Sequence, residues 1–455
     1  MVFGDRPIKV GTPEDYVFYR DLSKTYPVAV KGEGVYVYDD SGRKYLDAMG
    51  GVCVVCLGHH VNEILATINK QFDDICFCYH KNFSNRPQSE LAEHIVSMAP
   101  KGFSKVYFVS GGSEATETAM KLARDYHVQR AKPTKYKVIG RWNSYHGNTI
   151  GALSMSGDRL RRKFYDPYLL NFPHISPCYC YRCPFGMLYP DCNIQCAWEL
   201  ERVIKYEGPE NVSAFIGEPI SATFGVPIPP KEYWPIIREI CDRYDILLIA
   251  DEVINGFGRT GKNFAIDHWG VIPDLIATGK GISSGYTPLA AVIIHEKVVD
   301  AFEKGTKQFG HSFTYVGNPL SCAIGLAVQK YIAEHRLIER VSQLEEYFRK
   351  KIERLNELEM VGQVNGKGLL WGLEFVSSKE TRALFPRNRA VSEQVDRACF
   401  KKGLITFPTV ERADGERGDT LLLAPPFVIE ERELDQVVEI LGDAIQEVQK
   451  EALPL

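Results

Sequence analysis

The sequence has no apolar run approaching the roughly 20 residues that span a bilayer. It has no basic stripe of the kind that grips nucleic acid or an anionic lipid surface. Charge is nearly balanced, 54 Lys and Arg against 58 Asp and Glu, a formal −4. The opening residues, Met1 to Lys9, lack the apolar region of a secretory signal. Internal repeats and low-complexity tracts are missing too. These absences argue against a helical membrane protein, a nucleic-acid binder and a solenoid. The expectation is a cytoplasmic protein with no nucleic-acid or membrane partner.

What is present is ordinary for a globular chain: 45% hydrophobic and 25% charged residues. At 455 residues the chain exceeds one compact core, so two domains are expected. Residues 1–30 read as a polar, irregular arm with one short helix. Gly34 to Tyr38 and Arg43 to Asp47 alternate around Asp39-Asp-Ser-Gly42, a hairpin signal. Further on, apolar strands such as Val106–Val109, Tyr136–Ile139 and Ala214–Ile216 alternate with amphipathic helices, one of them starting near Ser113. That alternation predicts a mostly parallel, helix-covered sheet in an α/β fold. Long charged helices follow between Gln329 and Leu358, then mixed strand and helix. The expected division is 1–60, an N-terminal segment belonging to a small α+β domain; 61–325, a large domain with a cysteine-rich insertion near 176–197; and 326–455, the rest of the small domain.

Chemistry concentrates at two strand ends. Ile246-Leu-Leu-Ile-Ala250 runs into Asp251, and Leu275-Ile-Ala-Thr278 runs into Gly279-Lys280-Gly281. The two are 280 − 251 = 29 residues apart, about one strand–helix–strand unit. Taken singly, Lys280 could be a surface lysine and Asp251 a helix cap. Together they are a lysine able to form a Schiff base and a carboxylate able to hold a pyridinium nitrogen protonated, the requirement of a pyridoxal 5'-phosphate (PLP) enzyme. A neutral Lys280 amine is a nucleophile, and once freed it can move a proton. Ser110-Gly-Gly-Ser-Glu-Ala-Thr-Glu117 sits between a strand and a helix, where small residues and a helix N-terminus suit a phosphate. Ser113 also reads as a simple helix cap, and the two roles are compatible.

The segments Ala250-Asp-Glu-Val-Ile-Asn-Gly-Phe-Gly-Arg-Thr-Gly261 and Thr278-Gly-Lys-Gly-Ile-Ser-Ser-Gly-Tyr286 resemble the signature of class III aminotransferases, the omega-amino acid:pyruvate and acetylornithine-like transaminases of fold type I. The resemblance runs from about residue 30 to the end. It implies a fold-type-I PLP transferase and assigns roles position by position. Gly112 and Ser113 grip the cofactor phosphate, Tyr145 stacks on its ring, Val253 covers the other face, and Glu218 lies near the ring. Thr314, in Gly310-His-Ser-Phe-Thr314, reaches the phosphate of a neighbouring subunit, so a homodimer or dimer of dimers is implied. Cys53 stands where several relatives carry a bulky aromatic residue and lines the substrate pocket. Arg412 and Arg417 both precede Leu421-Leu-Leu-Ala-Pro-Pro-Phe427 and are both candidates for the substrate carboxylate. Ser283-Ser-Gly-Tyr286 resembles the amine:pyruvate subgroup.

Two patterns point elsewhere. Gly256-Phe-Gly-Arg-Thr-Gly-Lys262-Asn263 approaches a nucleotide P-loop, but Asn263 stands where a magnesium-binding Ser or Thr belongs, so it is read as a loop near the substrate entrance. Cys178, Cys180, Cys183, Cys192 and Cys196 crowd together, yet their spacing is not that of a zinc ribbon. They are read as a structural or redox-labile insertion, with no metal assigned. With twelve cysteines in a chain of this kind, thiols are expected rather than a disulfide framework. The expected activity is ping-pong transfer of an amino group from an amine or omega-amino acid to a keto acid, with pyruvate favoured. A PLP-dependent lyase, decarboxylase or aminomutase of the same family is the alternative.

Overall fold

The computed structural model describes residues 9–453. Among these residues the largest sheet has seven strands, in the spatial order Phe103–Val109, Ala290–His295, Leu275–Thr278, Leu247–Asp251, Val212–Gly217, Lys137–Arg141 and His174–Ile175. The run from Leu275–Thr278 to His174–Ile175 is parallel, while Ala290–His295 is antiparallel to both neighbours. Every residue of the three central strands is buried. Such unbroken apolar runs are what a sheet covered on both faces requires. Alternate residues face opposite layers. Leu248, Ala250 and Ile276 pack with Leu200, Trp234 and Ile237 of the helices Gln195–Glu207 and Tyr233–Arg243. Leu247, Ile249 and Ala277 pack with Ala115, Ala119 and Leu122 of the helix Gly112–Gln129. Each fully buried Leu or Ile contributes about 1.5–3 kcal/mol, so the strand ends that carry Asp251 and Lys280 are anchored on both sides.

The expected hairpin is formed by Tyr36–Asp39 and Lys44–Asp47. Leu404–Ile405 pairs in parallel with Leu46 and Asp47, which brings N- and C-terminal segments into one sheet. A third sheet joins Val361–Lys367, Leu370–Phe375, Asp419–Leu423 and Phe407–Thr409. Helices Leu337–Ile352 and Glu431–Ala452 cover it through Leu344, Phe348, Leu441 and Ile445, which pack with Trp371 and Leu373. Among the described residues no helix is long and apolar enough to cross a membrane.

Two local expectations are corrected. Over residues 9–28 no helix forms. There the Asp15 carboxylate accepts hydrogen bonds from the Gly11 and Val17 N–H groups, and such local bonding competes with helix. Residues 1–8 of the same arm lie outside the described residues. The long helices expected after residue 325 are present as Pro319–Glu334 and Leu337–Ile352, separated where Arg336 takes a left-handed conformation at φ +51°. The segment Gly256–Asn263 is not an entrance loop either. Arg259 is buried and donates to the carbonyl oxygens of Leu369 (3.1 Å) and Pro425 (2.6 Å), so the loop joins the large sheet to the C-terminal layer from inside.

The cysteine-rich insertion leads from His174–Ile175 into the helix Gln195–Glu207. It is pinned to the third sheet because Tyr179 and Arg182 both donate to the Glu374 carboxylate. All twelve cysteines are free thiols, and among the described residues no group of three or more His, Cys, Asp or Glu is arranged to hold a metal. A hydrogen bond from Cys178 pulls the exposed Cys180 thiol down to about 7 and pushes Cys178 up. The thiolate is the nucleophile. Iodoacetamide at pH 7.5 is therefore expected to alkylate Cys180 faster than the equally exposed Cys76, and Cys178→Ala to slow the Cys180 reaction. Peptide mapping against time checks this; equal rates at the two sites would contradict the assigned hydrogen bond.

Candidate active site

The site is built at the C-terminal ends of the parallel strands. Asp251 closes its strand with only 4% of its surface exposed. Its Oδ2 accepts from His146 Nδ1 at 2.6 Å and its Oδ1 from the Val253 N–H at 3.1 Å. A buried carboxylate needs such partners, since a lone buried charge costs several kcal/mol. His146 is itself buried, and its Nε2 has no partner among the described residues.

Lys280 stands two residues beyond Thr278, on the adjacent strand. Its φ of +44° is unusual for a residue with a side chain and costs about 1–2 kcal/mol. Surrounding contacts impose it. Gln329 Nε2 donates to the Gly281 and Ile282 carbonyls, each at 3.0 Å. Ser284 Oγ accepts from the N–H groups of Cys56 (2.8 Å) and Leu57 (2.9 Å), which stitches the lysine loop to the segment around Cys53. Burial holds the Lys280 ammonium below its usual range, and the charges of Arg259 and Arg161 act in the same direction against Asp251.

Glu218 sits just past the strand Val212–Gly217. Its Oε1 accepts the Tyr145 N–H at 3.1 Å and its Oε2 accepts Arg141 at 2.9 Å. Burial works to raise this carboxyl, and the nearby His146 and Arg141 outweigh it, so Glu218 stays below the usual carboxylate range. Glu252, next to Asp251, turns the other way and accepts the N–H groups of Ala265 and Ile266, supporting the following loop.

Gly112, Ser113, Tyr145, Glu218, Asp251, Val253 and Lys280 line one cavity of about 180 Å³, joined by His146, Thr223 and Asn255. The cavity fits PLP in three respects. The residue before the helix Gly112–Gln129 is Gly111, which supplies no side-chain cap. The N–H groups of Gly112, Ser113 and Glu114 consequently have no acceptor among the described residues, and such a helix end suits a phosphate. A Cβ at Gly112 would stand 2.8 Å from Val253 Cγ1, so only glycine leaves that approach open. An amine and a buried carboxylate complete the donor set.

The other residues singled out from the sequence lie apart from this cavity. Thr314 is exposed in a turn and does not line it. Cys53 is buried in a left-handed turn at φ +61° beside the lysine loop. Arg412 is buried and paired with Asp158 at 2.9 Å, and Arg417 is half exposed and paired with Asp414 at 2.8 Å. Sequence reasoning passed over His146 and Arg141, which hold the two carboxylates. His146 was visible as the neighbour of Tyr145; Arg141 carried no local signal, because its partner lies 77 residues away.

Fold and cavity together define a fold-type-I PLP-dependent transaminase. The chain belongs to the class III aminotransferases, whose family profile, "Aminotransferase class-III", matches residues 18–445. It is 37% identical over 424 residues to the putrescine–pyruvate aminotransferase of Pseudomonas aeruginosa, covering 92% of this chain and 91% of that relative. It is 35% identical over 434 residues to the vanillin aminotransferase of Capsicum chinense, covering 93% and 92%. Among solved structures it matches a thermostable (S)-enantioselective omega-transaminase from Thermomicrobium roseum with a TM-score of 0.88 and 34% identity, covering 94% of both chains. A transaminase from the marine bacterium Virgibacillus matches with a TM-score of 0.90 and 32% identity, covering 96% and 98%.

Removing a donor from a buried carboxylate costs about 1.5–3 kcal/mol. His146→Ala is therefore expected to lower kcat about 10- to 100-fold, with a smaller change in KM for the amine. Steady-state kinetics at saturating PLP check this, and an unchanged kcat would show that Asp251 does not depend on His146.

Proposed function

We propose that the protein transfers an amino group from an amine or omega-amino acid to pyruvate by a ping-pong mechanism, with Lys280 and Asp251 as its catalytic residues. The observation that carries this reading is the pairing of a pKa-lowered amine and a buried, hydrogen-bonded carboxylate on adjacent strand ends within one cavity. Bound PLP supplies an electron sink, so that a proton can leave the carbon bearing the amino group. Burial lowers the Lys280 ammonium from its usual range, which suits the amine to accept that proton and return it. Asp251, fixed by His146 and Val253, would partner the ring nitrogen of bound PLP. Tyr145 and Val253 would hold the ring between them, Glu218 orients the Tyr145 backbone, and the N–H groups of Gly112 and Ser113 would hold the phosphate.

Pyruvate as acceptor is supported by Ser283-Ser-Gly-Tyr286 and by the relative named for putrescine and pyruvate. The small Cys53 beside the lysine loop favours a roomy donor pocket.

A homodimer is part of the same proposal. Thr314 does not serve its own cavity, and around it lies exposed apolar surface: Phe77 meets Tyr315 edge-on, and Tyr79 and Phe83 are exposed nearby in sequence. A second copy would cover that surface and bring its Thr314 to the phosphate. The reading also divides the chain near residues 60 and 325, supported by the pairing of Leu404–Ile405 with the N-terminal hairpin. A cytoplasmic location is supported by the twelve free thiols.

A transaminase given one amine and no keto acid stops after one equivalent per site, whereas a lyase or decarboxylase continues. Incubating holoenzyme with putrescine alone is expected to yield one carbonyl product per subunit and then halt, and pyruvate is expected to restart it. Continued product release without pyruvate would replace this reading with the lyase alternative.

A further inference from the structure

Asp158 is fully buried and serves two arginines. Its Oδ2 accepts from Arg161 Nε at 3.0 Å and pairs with Arg412 at 2.9 Å, and its Oδ1 accepts from the Arg161 N–H at 3.3 Å. One carboxylate between two guanidinium groups leaves one positive charge in excess. Arg412 is sealed, with 6% of its side chain exposed, while Arg161 keeps 27%. The Arg161 guanidinium lies 4.4 Å from the ring centroid of Tyr145, and Tyr145 lines the cavity with Lys280. Among the described residues, no acceptor engages the two terminal nitrogens of Arg161. Arg417, the alternative in the C-terminal loop, already gives its Nε (2.9 Å) and a terminal nitrogen (2.8 Å) to Asp414.

The charge of Arg161 is felt inside the cavity. It acts with burial to depress Lys280. Burial pushes the Tyr145 phenol up, and Arg161 is the foremost influence opposing it, with Arg20 of the N-terminal arm in support. Here a planar donor with two free nitrogens is fixed by a buried acid and lies against Tyr145, a wall of the cavity that holds Lys280. Its uncompensated charge calls for an anion, and a carboxylate matches its fork geometry.

We propose that Arg161 receives the carboxylate of the omega-amino acid and keto acid substrates. This rests on the substrate class argued above and names the residue that selects it. Arg161 is thus the specificity residue, and Asp158 holds it in place. Uncharged amines reach Lys280 without using it.

The test separates this assignment from the transaminase reading. Holoenzyme is titrated with propanoate and, as the neutral control, with propanamide, following the cofactor absorbance. The same titrations are run on Arg161→Leu, Arg161→Lys and Arg417→Leu. A charge-assisted hydrogen bond of about 1.5–3 kcal/mol corresponds to about 10- to 100-fold in affinity. Wild-type protein is expected to bind propanoate at least about tenfold more tightly than propanamide. Arg161→Leu is expected to erase that preference, Arg161→Lys to restore part of it, and Arg417→Leu to leave it intact. The proposal is overturned if wild type does not discriminate, if Arg161→Leu still does, or if Arg417→Leu is the variant that loses the preference. It is also overturned if Arg161→Leu weakens both ligands equally, because that marks a role in holding Tyr145. The transaminase reading fails separately, when wild-type holoenzyme shows no single-turnover absorbance change with any amine.

Discussion

The site depends on seating one carboxylate at the end of a fully buried strand. Asp251 ends that strand, and burying it there requires the two donors it has, His146 and the Val253 N–H. Those two donors come from different places: the loop after Lys137–Arg141 and the turn following Asp251 itself. The sheet therefore cannot shift one strand against another without unpairing the acid. The same logic recurs at Glu218, held by Arg141 and the Tyr145 N–H. Two buried acids, each with a dedicated cationic or polar partner, lock the Tyr145–His146 loop against the strand ends.

Lys280 is the basic counterpart set on this frame. Its left-handed backbone is costly, and the cost is carried by Gln329 below and Ser284 beside it. Ser284 links the lysine loop to Cys56 and Leu57, so the segment around Cys53 is tied to the loop that carries Lys280. Arg259 extends the coupling by tying the loop after Asp251 to Leu369 and Pro425. The C-terminal layer thus buttresses the site without contributing a group to its cavity.

Much of this was legible in the sequence because it is periodic or local. The central strands read as strands because both faces are covered, and the hairpin of residues 36–47 because its alternation flanks a turn. Lys280 and Asp251 stood out because strand ends are where an α/β sheet exposes side chains. What escaped was non-local. Nothing near Arg141 announces a partner at Glu218, and nothing near Asp158 announces that Arg161 and Arg412 share it. The kink at Arg336 was hidden because helix periodicity continues on either side, and only the packing of Leu337, Val341 and Leu344 demands a change of direction. Gly256–Asn263 looked like a surface loop because it is rich in glycine and charge, yet Arg259 finds enough carbonyl acceptors to be buried.

The division of labour follows from the stiffness of the parts. Glu218, Asp251 and Lys280 stand at or near the ends of strands packed on both sides, where displacement is most strongly resisted. Arg161, proposed above for the substrate carboxylate, stands on the four-residue helix Arg159–Arg162, and Arg412, which shares Asp158 with it, stands in the irregular loop that also carries Arg417. Asp158 joins Arg161 to Arg412, Asn143 donates to the Arg412 carbonyl at 3.0 Å, and Arg162 donates to the carbonyls of Leu153, Ser154 and Ser156. None of these ties includes Asp251 or Lys280. Substrate choice can therefore vary on this scaffold while the chemistry stays fixed. Fold, family and cavity together define a transaminase, whereas on the proposal above the choice of substrate rests with Arg161.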